Sequence, residues 1–104
     1  PMNTLSELAK VLRSKNSGPF ELTLDILFSD EAPYRRVKES GVLTRENIAR
    51  LYNIPKAHVV VLQHFDAALG IKITMLRSCP SGTVHDRDVY GAQQHAPLLN
   101  LLIP

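Results

Sequence analysis

Apolar and polar positions alternate most regularly over residues 20–28, where Phe20, Leu22, Leu24, Ile26 and Phe28 interleave with Glu21, Thr23, Asp25 and Leu27. Successive strand side chains point to opposite faces, so this pattern predicts a strand with one core face and one polar face. Before it, Leu5, Leu8, Ala9 and Leu12 follow helical spacing behind a capping-box sequence, Thr4-Leu-Ser-Glu7. Local physics favours a short helix from about Leu5 to Arg13, although two turns are marginal on their own. Asn16-Ser-Gly-Pro19 reads as a turn, because glycine tolerates positive φ and proline bars helix.

Ser29-Asp-Glu-Ala-Pro33 has the capping oxygen, early acids and proline of a helix start. Tyr34 and Val37 should face inward, Arg35, Arg36, Lys38 and Glu39 outward, and Gly41 should end the helix. A second helix follows, with Thr44 as its cap, Leu43 and Ile48 as a hydrophobic staple, and Ile48, Leu51 and Tyr52 as its buried stripe. Asn53 ahead of Ile54-Pro55 stops it. The run Val59-Val-Val-Leu62 inside residues 58–65 is too continuous for one wet face and predicts a strand interior to a sheet. Ile71, Ile73 and Met75 alternate with Lys72, Thr74 and Leu76, completing an antiparallel hairpin. Arg77 to Thr83 reads as a loop. The apolar end, with Leu98, Leu99, Leu101, Leu102 and Ile103, should be docked on this domain or on another chain. The elements imply one α+β domain over residues 1–104, a small mixed or antiparallel sheet with helices on one face.

Composition narrows the function classes. A chain of 104 residues is one domain with a modest core, and a net charge of +2 with scattered Lys and Arg does not suggest nucleic acid. No apolar run approaches the ~20 residues that span a bilayer, and the N-terminus lacks a secretory pattern. One cysteine, Cys79, excludes an internal disulfide, and a cytoplasmic location is the expectation. Cys79 sits before Pro80 in a loop, and the sequence gives no reason to expect it to act as a nucleophile.

Two constellations carry candidate chemistry. Arg13, Lys15, Asn16 and Ser17 beside Glu21 and Asp25 could hold an anion through charge-assisted hydrogen bonds. The plain alternative is a solvated turn entering a half-exposed strand. No phosphate-loop spacing is present, and Glu21 and Asp25 lie roughly 13 Å apart along one strand, too far for a carboxylate dyad. The second is His85, Asp86, Asp88 and Tyr90 with Gln93, Gln94 and His95. These can bind a ligand or move a proton, or they can hold the C-terminal segment by structural hydrogen bonds. Their spacing matches no metal motif, so neither metal nor cofactor is expected. His58 and His64 flank the valine strand as edge or packed histidines.

Arg13-Ser-Lys-Asn-Ser-Gly-Pro-Phe-Glu-Leu-Thr-Leu-Asp25 and Asp88-Val-Tyr-Gly-Ala-Gln-Gln-His-Ala-Pro-Leu-Leu99 carry a nearly end-to-end resemblance to a bacterial family classed as a domain of unknown function. Its members look like companions of the larger acyclic terpene utilisation (AtuA-like) proteins. They are more distantly similar to a small ferredoxin-fold-like domain attached to some of those. The resemblance implies a ferredoxin-like fold, an extended conformation from Leu8 to Gly18 against the local helix signal, and a two-component system acting on organic acids or acyl thioesters. It carries over no catalytic residue. The leading expectation is therefore a small subunit that completes an AtuA-like partner's site. A stand-alone hydratase, dehydratase or isomerase is the alternative, with Arg13 and Lys15 holding a carboxylate and His95 or Asp25 moving a proton. A third is a structural homo-oligomer assembled through the C-terminal leucines.

Overall fold

A computed structural model describes residues 2–18, 20–76 and 96–104. The strand signal places the first pieces. After β1 (Asn3–Thr4), the capping box forms as written: the Thr4 hydroxyl accepts from the Glu7 amide, and the Thr4 amide donates to Glu7 Oε1 at 2.8 Å. The helix it starts, α1 (Leu5–Leu8), is a single turn. The expected helix to Arg13 stops there, and residues 11–18 form β2 (Val11–Gly18) instead. The reason is tertiary. A two-turn helix gains little by itself, whereas the extended chain pairs with β3 (Glu21–Leu27) from Val11↔Leu27 to Gly18↔Glu21. Asn16 and Ser17 thus belong to the strand rather than to a turn, and Phe20, expected in the core, is exposed before β3.

Two helices follow. In α2 (Glu31–Ser40) Tyr34 and Val37 are buried, and Gly41 ends it at φ 72°. Asp30 takes the N-cap position, but its side chain accepts no cap hydrogen bond. In α3 (Arg45–Tyr52) the Thr44 hydroxyl accepts from the Asn47 amide, Leu43 and Ile48 are both buried, and Asn53 closes the helix in the left-handed region. A 3-10 turn at Lys56–His58 leads into β4 (Val59–Phe65), and a second at Asp66–Ala68 joins β4 to β5 (Gly70–Leu76).

The four longer strands form one antiparallel sheet in the order β2-β3-β5-β4. The valine strand therefore lies at an edge, not in the interior as its composition suggests. A bulge between Val59 and Val61 explains the misleading run: Val59 is 1% exposed, but the extra residue Val60 is 40% exposed. The interior strands are β3 and β5. Inserting β5 between β3 and β4 makes β3–α2–α3–β4–β5 a split β-α-β unit, the kernel of ferredoxin-like architecture. The remaining edge strand comes from the N-terminal hairpin.

The described helices cover one face of the sheet. Leu22, Leu24 and Ile26 from β3 and Ile71, Ile73 and Met75 from β5 meet Val59, Tyr34, Val37, Ile48 and Ala49 in a single core. The apolar tail closes its end. After the one-turn helix α4 (Ala96–Leu99), β6 (Leu102–Ile103) pairs antiparallel with β1. Leu98 and Ile103 are fully buried in the chain's own core, and Arg36 holds the Ile103 and Pro104 carbonyls. Leu102 alone among the five apolar tail residues is exposed.

Candidate functional site

Period-two alternation sorts every strand residue to one of two faces, and the face away from the helices collects the polar chemistry. The register aligns Arg13, Asp25 and Lys72 in one cross-strand row, with Gln63 beyond them on β4. The next row is Lys15, Thr23, Thr74 and Val61. Glu21 lies on the same face at the start of β3, opposite Leu76.

Within the first row Arg13 Nε stands 3.5 Å from Asp25 Oδ2, with the arginine side chain 64% exposed. Exposure screens this pair, so it orients Asp25 more than it stabilises the fold. Lys15 and Lys72 make no ion pair with a described residue, nor does Glu21. In the second row the Ser17 and Thr23 hydroxyls lie 2.7 Å apart, and those of Thr23 and Thr74 3.1 Å apart. Thr23 and Thr74 are the buried polar residues of the described chain, at 9% and 7% exposure. The ladder crosses three strands and gives each hydroxyl a partner, as burial requires.

The residues expected from the sequence divide as follows. Arg13, Lys15, Asp25 and Glu21 share the polar face. Asn16 does not join them: its register partner is Leu22, a core residue, so it projects to the opposite side of β2. One step along a strand reverses the side chain, and placing residues 16–19 in a turn concealed that. Tyr90, Gln93, Gln94 and His95 lie outside the described residues, as do His85, Asp86, Asp88 and Cys79. Sequence reasoning missed Lys72 and Thr74. Their alternation was visible, but only the β3–β5 pairing brings them beside Asp25 and Thr23.

The other two histidines lie near the two ends of β4. His64 sits on the edge strand opposite Ile71, and burial, with Lys38 nearby, holds its pKa below the usual histidine value. His58 lies in the 3-10 turn with Nδ1 buried and without a described hydrogen-bond partner. Among the described residues no group of three His, Cys, Asp or Glu is placed to hold a metal, and no helix is long and apolar enough to cross a membrane.

The face can therefore recognise an anion with ammonium and hydroxyl donors. The described helices and the β1–β6 sheet pack on the other side. Comparison with curated proteins and with solved structures finds no match. Residues 5–102, from the start of α1 to the first residue of β6, match the family described as Domain of unknown function (DUF4387), and the chain belongs to that family.

Proposed function

We propose that this chain is the small subunit or accessory domain of a two-component catabolic protein, acting with an AtuA-like large partner on an organic acid or acyl substrate. One observation supports the reading: three cations, Arg13, Lys15 and Lys72, and two carboxylates, Asp25 and Glu21, share a single sheet face with the Thr23 and Thr74 hydroxyls, and among the described residues neither lysine makes an ion pair. An excess of cations over carboxylates on a polar surface favours a carboxylate-bearing ligand or an acidic partner surface. A sheet face is one wall, and enclosing a small substrate takes a second. The partner is the source of that wall and of the catalytic groups.

Co-expression with an AtuA-like chain of the same host tests this directly. The two should co-elute on size exclusion, and Lys15→Glu with Lys72→Glu should abolish turnover by the complex or its assembly. A chain that elutes unchanged beside such a partner would count decisively against the subunit role.

A further inference from the structure

In each bond of the hydroxyl ladder on the polar face either oxygen can be the donor, and burial favours one direction over the other. Three hydroxyls carry three protons, and the two bonds Ser17–Thr23 and Thr23–Thr74 use two of them. If Ser17 donated inward, the spare proton would be left on Thr74, which is 7% exposed and has no other hydrogen-bond partner among the described residues. A buried donor without an acceptor is costly, whereas Ser17 is exposed and can direct its proton outward. Burial thus favours the arrangement in which Thr74 donates to Thr23, Thr23 donates to Ser17, and the free O–H emerges at Ser17. Accepting a bond from Thr23 polarises Ser17 and strengthens it as a donor.

The backbone creates this arrangement through a local irregularity. The β2–β3 register slips between Asn16 and Gly18, so Ser17 is the extra residue of a bulge. A bulge re-aims its side chain, and here it turns Ser17 onto Thr23. Lys15 is two residues back on the same strand and directly opposite Thr23 in register. Directly opposed residues have Cβ atoms about 5 Å apart, which puts the ammonium within reach of whatever Ser17 binds.

We infer that Ser17 and Lys15 together form a carboxylate seat, with Thr23 and Thr74 behind Ser17 as positioning residues. One carboxylate oxygen accepts from the Ser17 hydroxyl and the other meets the Lys15 ammonium. A single ammonium with a single neutral donor matches one negative charge on two oxygens better than a phosphate dianion. Arg13 lies one row away, opposite Asp25, with its Nε 3.5 Å from that carboxylate, and is not part of the seat. The inference rests on the reading of this face as an organic-acid surface, and it names the group that the face holds.

The test is an NMR titration of the chain alone with propionate, following the Ser17 and Gly18 amides and the Lys15 Nζ. Saturable shifts are expected in the wild type. Ser17→Ala should weaken binding about tenfold, the loss of one hydrogen bond to a charged group. Thr74→Val should weaken it by about a factor of two to three through Ser17 alone, and Thr74→Ser, which restores the hydroxyl, should bind like wild type. Absence of shifts at Lys15 and Ser17, equal binding by Ser17→Ala, or tighter binding of inorganic phosphate than of propionate would each overturn the seat. Co-elution with the large partner is read independently, so failure of the seat and failure of the subunit role are separable.

Discussion

Tyr34 is 1% exposed, yet its hydroxyl has a strong acceptor: it donates to Asp66, which also receives Lys38 Nζ at 2.8 Å. Its ring meets Phe28 edge-on at 5.8 Å between centroids. Burial, reinforced by the Asp66 carboxylate, pushes the phenol up to about 12. The neutral form is the one that the fold favours. The stabilisation is therefore complete below the ordinary value of 10 and is lost as pH rises toward 12. Tyr34→Phe should keep the ring packing, cost about 2 kcal/mol in denaturant unfolding and remove that alkaline limb. Asp66 shifts the other way, held down first by the Lys38 hydrogen bond and then by Tyr34, so its contribution is present above its ordinary 3.8 and fades in acid. His64 offers a direct check on the same cluster. Burial lowers its pKa most, and Lys38 adds to the effect. In Lys38→Met the imidazole should titrate higher by NMR, while an unchanged value would remove Lys38 from the account. The helical spacing alone placed Tyr34 inward. Its partner Asp66 is distant in sequence, beyond the reach of that spacing.

Caps were the most legible elements because they are local. Gly41 sits at φ 72°, and a Cβ added there would meet no atom within 4 Å. Gly41→Ala is thus a conformational test free of clashes and should cost about 1 kcal/mol. Thr44→Ala removes the acceptor for the Asn47 amide and should cost a similar amount, about 1 kcal/mol, read as a shift in denaturant midpoint. The capping box at Thr4–Glu7 was equally readable, but the length of its helix was not. The alternative for residues 11–18 is stabilised by β3, and no window of local sequence contains that competition. The C-terminal strand illustrates the same point. Its apolar composition demanded docking, and only the fold chose the chain's own core over a neighbour's. Ile103→Ala should therefore destabilise by about 3 kcal/mol. Removing residues 98–104 should abolish cooperative thermal unfolding, contrary to what a purely intermolecular tail would give.

At the scale of the whole molecule, two edge strands flank the sheet and differ in chemistry. β2 carries Arg13 and Lys15, while β4 has no Asp, Glu, Lys or Arg from Val59 to Phe65 and exposes Val60 and Phe65. Charge on an edge discourages indiscriminate strand pairing and makes this edge suited to selective, charge-guided contact. If the proposed AtuA-like partner docks on the Lys15 and Lys72 face, its affinity should weaken as salt rises from about 50 to about 500 mM, measured by titration calorimetry. An affinity indifferent to salt would move the contact away from this face. The sequence by itself determined the α+β class, the polar and apolar faces of β3, and both helix termini around Gly41 and Thr44. These depend on neighbours within a few residues, where sterics and hydrogen bonding are set by residue type. Tertiary structure decided that residues 11–18 are strand, that the valine strand is an edge, and that Lys72 and Thr74 stand beside Asp25 and Thr23. Each of these depends on which strands pair and in what register, a free-energy comparison between segments far apart in the chain.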